Sequence, residues 1–242
     1  MKSVIIAPDY AQDIEASSGP HAGPGDRLSS PDLLARAPVR DDEMISLFRA
    51  LQTMMPQKSH WTLGIISTLP GEGVSSVARG LARIVSRTPN AKVLICDVAS
   101  DPRNRTKRRD KYASTRTSMG DGGGRIDFTW LPGSQIALGV LGEPGAMNAL
   151  AADVESVRSM VSTVSAGFEL VILDLPPVSE SVIGPALAKA VDGVLLVVEA
   201  ERTRAAAVRA TEKTLKMYGG NVLGIVLNKR RFHIPDFIYR RL

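Results

Sequence analysis

Six short runs of almost unbroken apolar residues recur along the chain, and stretches with helical spacing separate most of them. The runs are Trp61–Ser67, Lys92–Asp97, Ile136–Leu141, Phe168–Asp174, Gly193–Ala200 and Asn221–Asn228. A strand that is apolar at every position rather than every second one is covered on both faces, and helices that alternate with such strands supply the cover. The pattern therefore predicts an α/β fold: a doubly wound parallel sheet. The helical stretches carry one apolar stripe each, as in Val77, Ala78, Leu81, Ala82 and Val85, or Val154, Val157, Val161 and Val164. Pro185 lies near the start of a short helix, where proline is tolerated, and Gly219-Gly220 stops the helix before the last strand. Ahead of the first strand, Met44, Leu47, Phe48, Leu51 and Met55 form a further helical stripe. Asp41 and Asp42 suit its positive end, and Pro56 closes it.

The chain of 242 residues suits one domain of this class, over residues 41–228. Residues 1–40, rich in Ser, Pro, Gly, Asp and Ala, read as a disordered tail. The net charge of +5 is unevenly placed. Segment 103–125 carries eight Lys and Arg against Asp110 and Asp121, and reads as a mobile basic loop. Segment 229–242 sets five basic residues against Asp236 among Phe232, Ile234, Phe237, Ile238 and Tyr239, and reads as a basic and aromatic tail. Removing those excesses of +6 and +4 leaves −5 for the remainder, so no uniformly basic nucleic-acid surface is expected. One cysteine, Cys96, excludes an internal disulfide framework and reads as a packing residue. His21, His60 and His233 lie too far apart in sequence for ligand spacing. No run approaches the ~18 apolar residues of a membrane span, which points to a cytoplasmic protein.

In folds of this class ligands bind at the carboxyl ends of the strands. The first strand ends in Ser67-Thr68-Leu69-Pro70-Gly71-Glu72-Gly73-Val74-Ser75-Ser76 and passes directly into a helix. That is the setting of a phosphate-binding loop, G-x-x-x-x-G-K-[ST]. Thr68 takes the first glycine position, Gly73 fits, Ser75 fits the magnesium-ligating hydroxyl, and Val74 stands where lysine belongs. The second strand ends in Asp97 and the fourth in Asp174, the usual presentation of a magnesium-associated carboxylate. The candidate nucleotide-binding residues are thus Gly71, Glu72, Gly73, Val74, Ser75 and Ser76. Ser75, Asp97 and Asp174 are the magnesium candidates, and the two aspartates are the catalytic ones. The alternative is a Gly-rich strand-to-helix turn without a ligand, with both aspartates capping helices or loop amides.

These blocks resemble the bacterial tyrosine autokinases, or BY-kinases. The resemblance rests on Pro-Gly-Glu-Gly at 70–73, Val-Leu-Ile-Cys-Asp at 93–97 and Val-Ile-Leu-Asp-Leu-Pro-Pro at 171–177. Asp-Gly-Val-Leu-Leu-Val-Val at 192–198 and Asn-Val-Leu-Gly-Ile-Val-Leu-Asn at 221–228 complete it. It is nearest to the stand-alone cytoplasmic form of exopolysaccharide synthesis. It implies a P-loop NTPase-like fold of the deviant Walker group, shared with partition and septum-positioning ATPases. It also implies ATP or ADP with magnesium, an inner-membrane polysaccharide co-polymerase as partner, peripheral attachment through that partner, and homo-oligomers.

Four family devices are altered together. Val74 replaces the loop lysine. Asp97-Val98-Ala99 stands where the family has Asp-x-Asp, with Asp101 displaced. The ring-forming Glu-x-x-Arg-x-x-Arg falls on Ser46, Arg49 and Gln52. Of a C-terminal tyrosine cluster only Tyr239 remains as a phosphoacceptor candidate, with Tyr218 at a helix terminus. A cation about 4 Å from a phosphate is worth roughly 4 kcal/mol at an effective dielectric near 20, or about three decades. Loop amides and a helix N-terminus still hold an anion without it, so binding is weakened and phosphoryl transfer suffers more. Arg79, Arg83 and Arg87 share the helix face away from the apolar stripe and read as solvated. The expectation is a regulatory partner of the co-polymerase with reduced or absent kinase activity. The rivals are an active autokinase using a lysine from a neighbour, and a membrane-cycling positioning ATPase. Segment 103–125 reads either as a solvated insertion or as an arm for anionic lipid or an acidic partner; the tail reads as an interfacial or partner-docking segment, as a strand extension packed back on the domain, or as a platform for single-stranded nucleic acid.

Overall fold

The computed structural model of the chain describes residues 40–98, 117–119, 126–141 and 152–230. Eight strands form one sheet: β1 (Trp61–Ser67), β2 (Val93–Asp97), β3 (Thr117–Met119), β4 (Ile126–Trp130), β5 (Ile136–Leu141), β6 (Leu170–Asp174), β7 (Gly193–Glu199) and β8 (Val222–Asn228). Their order across the sheet is β3-β4-β5-β2-β6-β1-β7-β8. Every pairing from β5 to β8 is parallel. The helices are α1 (Asp41–Met54), α2 (Val74–Val85), α3 (Val154–Ser165), α4 (Ile183–Leu187) with a 3-10 turn at Ala188–Ala190, and α5 (Ala205–Met217).

The apolar runs are buried for the expected reason. Alternate strand residues feed two cores. Leu63, Ile65, Val93, Ile95, Ile172 and Leu195 meet the stripes of α1 and α2 on one face. Ile66, Leu94, Leu173, Val194, Leu196 and Val198 meet α3, α4 and Leu215 of α5 on the other. Covering both faces leaves the sheet's carboxyl edge as the place where loops can hold a ligand.

The other end of the sheet departs from an all-parallel arrangement. β4 runs antiparallel to β5, and β3 antiparallel to β4. Residues 117–119, expected within a mobile loop, form the edge strand β3; the rest of 103–125 lies outside the described residues, as do 1–39 and 231–242. β4 was not expected at all, although Ile126, Phe128 and Trp130 alternate with polar residues at the period of a one-sided strand. Phe128 and Trp130 meet edge to face, and Trp130 stacks on Phe168 with ring centroids 5.5 Å apart.

A second departure concerns the arginines of α2. Arg83 and Arg87 do not form a solvated face: each reaches one carboxylate oxygen of Asp41 at 2.6 Å, tying α2 to the start of α1. Burial acts to raise the Asp41 pKa, but hydrogen bonds and charge from Arg87 and Arg83 outweigh it and hold the carboxyl below its usual value.

The amino edge of the sheet is knotted by Asp192, just before β7. Its Oδ2 accepts from the Thr62 N–H and hydroxyl at 2.8 Å each, and its Oδ1 from Lys58 Nζ at 2.7 Å. The Asn221 side-chain amide donates to the Asp192 carbonyl at 2.8 Å, which brings in β8. Burial works to raise the Asp192 pKa, but the hydrogen bonds from Lys58 and Thr62 and the Lys58 charge prevail and lower it. A depressed carboxyl stabilises the fold above its unfolded value of 3.8 and loses that contribution as pH falls through the lower folded value. Asp192→Asn is expected to cost about 1–2 kcal/mol at neutral pH, seen as a melting temperature lower by roughly 3–8 °C. Thermal melts at stepped pH should show the gap to wild type closing below pH 3.8; a gap that persists there contradicts the assignment.

Candidate functional site at the carboxyl edge

The strand register gathers the sequence candidates. Asp174 at the end of β6 lies beside Ile65 of β1 and Asp97 of β2, so both aspartates stand on one side of the strand that leads into the glycine loop, Asp174 on the neighbouring strand and Asp97 on the next. Ser75, in the first turn of α2, donates its hydroxyl to Asp174 Oδ2 at 2.6 Å. The hydroxyl and carboxylate expected around magnesium are therefore in contact, with Asp97 on the adjacent strand.

The loop owes its shape to two glycines and one glutamate. Gly71 and Gly73 both have positive φ, +81° and +101°, a region that costs other residues strain. A Cβ on Gly73 would lie 2.0 Å from Asn228 Nδ2, so even a methyl group is excluded. Glu72 turns fully inward. Its carboxylate accepts from the Leu69 N–H at 2.8 Å, the Glu199 N–H at 3.1 Å and the Thr203 hydroxyl. A buried carboxylate costs several kcal/mol unless it is well supplied with donors, and here three donors fasten the loop to the end of β7. As a nucleotide contact Glu72 can offer its backbone amide, while its side chain is spent on the protein.

From Gly73 the chain enters α2 with no side-chain cap and no acidic residue in the first turn. The Val74 and Ser75 amides have no intrahelical acceptor, as at any helix start. The Ser76 and Val77 amides are closed onto the Gly73 carbonyl at 3.0 Å. Val74 itself is 8% exposed and packs into the core under α1 and α2. The position that presents a lysine in a phosphate loop holds a core side chain.

Several residues at this edge were not foreseen. Asn228, the last residue of β8, is fully buried and donates through Nδ2 to the Glu72 carbonyl at 2.8 Å. Lys229, assigned from sequence to a tail, donates through Nζ to the Gly71 carbonyl at 2.7 Å and pairs with Glu199 at 3.2 Å. Arg202 reaches the same Glu199 oxygen at 2.9 Å. Burial acts to raise the Glu199 pKa, and Arg202 and Lys229 together more than reverse it. A polar residue ending an apolar strand singled out Asp97 and Asp174, and the same signal applies to Asn228. Two buried oxygens here, Thr68 Oγ1 and Asn228 Oδ1, have no hydrogen-bond partner among the described residues.

The remaining candidates lie apart. Ser46, Arg49 and Gln52 sit on the outward face of α1. Tyr218 follows α5, which runs from the end of β7 back to the start of β8, and so lies at the opposite edge of the sheet. Tyr239 and Asp101 fall outside the described residues. No described helix is long and apolar enough to cross a membrane.

Removing the Glu72 carboxylate strands three donors. Glu72→Ala is expected to lower stability by about 3 kcal/mol in denaturant unfolding and to speed amide exchange across residues 69–75. Glu72→Gln, which keeps an acceptor, should cost less. Wild-type protection in Glu72→Ala would contradict the anchoring role.

No protein-family model matches the chain. A tyrosine-protein kinase CpsD of Streptococcus agalactiae serotype III is 26% identical over 214 residues, covering 84% of this chain and 88% of the relative. Among solved structures, the kinase domain of the Escherichia coli tyrosine kinase ETK superposes with a TM-score of 0.73 at 16% identity, over 95% of this chain and 91% of that one. The VpsO kinase domain gives a TM-score of 0.54 at 20% identity, over 78% and 98%. A nucleotide-binding protein of Archaeoglobus fulgidus, in complex with ADP, gives 0.52 at 17% identity, over 81% and 74%. These structural likenesses establish the fold, that of P-loop NTPase-like kinase domains, and the CpsD kinase adds similarity in sequence along most of the chain. The chain is thus similar in sequence to CpsD tyrosine-protein kinases and shares the fold of the ETK and VpsO kinase domains.

Proposed function

We propose that the protein is a BY-kinase-like component of exopolysaccharide or capsule assembly that regulates a membrane polysaccharide co-polymerase, with kinase activity reduced or absent. The observation that carries this reading is Val74. It is a packed core side chain at the lysine position of a loop that keeps the second glycine, Gly73, and the hydroxyl, Ser75.

The residues present fit a magnesium-bound adenine nucleotide. The start of α2 is free of acidic side chains, and the loop's buried Thr68 hydroxyl has no partner among the described residues. The Ser75 hydroxyl and the Asp174 carboxylate are the hard oxygen donors magnesium prefers. Ser75, Asp174 and Asp97 would be the protein's own contribution to such a cation. The amides of Gly73, Val74 and Ser75 would hold phosphate oxygens. A magnesium nucleotide would supply the transferable phosphoryl group. Stabilising charge as that group moves is the task of the missing lysine, so binding survives the substitution better than transfer does. Distance adds to this: Tyr218 is across the sheet from the loop.

Incubated with ATP and magnesium, the full chain is expected to gain no phosphate on Tyr218 or Tyr239 by mass spectrometry. Tyrosine phosphate that forms in the wild type and disappears in Asp174→Asn would overturn the reading and favour an active autokinase.

A further inference from the structure

We infer that Lys229, at the end of β8, is the cation of the phosphate loop in this chain, standing in from outside the loop for the lysine absent at Val74. This rests on the proposed nucleotide site and adds a positioning residue to it.

Three observations lead to it. First, the Nζ of Lys229 is already on the loop: it donates to the Gly71 carbonyl at 2.7 Å. A charged donor on that carbonyl polarises the Gly71–Glu72 peptide and strengthens the N–H on its other side as a donor to an anion. Second, the local charge needs it. The loop contains the Glu72 carboxylate, and the end of β7 adds Glu199; Arg202 and Lys229 are the cations set against them. With Lys229 these four groups are neutral. Without it they carry one net negative charge beside a site for phosphate, and like charges in a partly buried site repel strongly. Third, the backbone is bent to put it there. Lys229 has φ +56°, a left-handed conformation that residues other than glycine, asparagine and aspartate rarely adopt, directly after Asn228 has fastened β8 to the Glu72 carbonyl. The strain occurs where two consecutive side chains, Asn228 and Lys229, grip two consecutive loop carbonyls, Glu72 and Gly71.

An electrostatic role differs from simple bracing of the loop. Loss of charge must weaken ligands in proportion to their own charge, and an arginine must largely restore it. Loss of a brace would weaken all ligands alike. The test is titration calorimetry of magnesium ADP and of AMP into wild type, Lys229→Met and Lys229→Arg, at low and moderate salt, with circular dichroism melts to confirm folding. The expected result is ADP binding weaker by about tenfold or more in Lys229→Met, a smaller loss for AMP, a gap that shrinks with salt, and recovery to within about threefold in Lys229→Arg. Two results overturn the inference while leaving the nucleotide site standing. One is ADP affinity in Lys229→Met within twofold of wild type. The other is an equal loss for ADP and AMP without rescue by arginine. If the wild type takes up neither ligand, the nucleotide reading falls and this inference with it.

Discussion

The carboxyl edge of the sheet depends on one carboxylate that never meets water. Glu72 sits within the glycine loop, yet its side chain is directed into the protein and supplied by two backbone amides and a hydroxyl. Because one of those amides belongs to Glu199, the loop after β1 is registered against the end of β7. Because the Glu72 carbonyl receives Asn228, it is registered against β8 as well. The two positive-φ glycines on either side make that inward turn affordable. Three strand ends are thus held at fixed heights around the start of α2, and Ser75 is delivered to Asp174. The loop's shape is set by contacts within the protein, which is how backbone amides become useful for an anion.

Against this preserved frame, the substituted positions stand out. At Val74 the chain has exchanged a charge for packing, and its side chain joins the core that couples α1 and α2 to the sheet. A loop of this shape with no cation nearby would present a carboxylate and a helix dipole to a phosphate, two opposing influences. The cations that do approach come from the ends of β7 and β8 and act through the loop's outer carbonyl and through Glu199. From there they can offset repulsion in the bound state. On the proposed reading they are less suited to following charge as a phosphoryl group moves, which would separate holding a nucleotide from using it.

The sheet was largely legible because each buried strand carries its own signal: apolar residues at every position, bounded by a polar residue or glycine. The same signal placed Asp97 and Asp174 correctly at strand ends. β3 and β4 escaped because neither carries an unbroken apolar run: Thr117-Ser118-Met119 is short and mostly polar, and β4 shows the weaker alternating pattern directly after a basic segment. What the sequence could not display were partners distant along the chain. Arg83 and Arg87 repeat at four residues like any solvated face, and only the packing of α1 on α2 brings Asp41 between them. Lys229 reads as the first residue of a basic tail until β8 is placed beside β7. Glu72 reads as a ligand contact in a linear motif, and only the fold reveals its inward turn.

The central claim is that the phosphate loop is formed but lacks a charge at position 74. It is tested most directly by the affinity of Val74→Lys for magnesium ADP, measured by titration calorimetry beside the wild type. Weak but measurable binding in the wild type, tightened at least about tenfold by the lysine and by as much as three decades if the charge is fully felt, is the expected result. Equal affinity in the two proteins, or no binding in either, would contradict it.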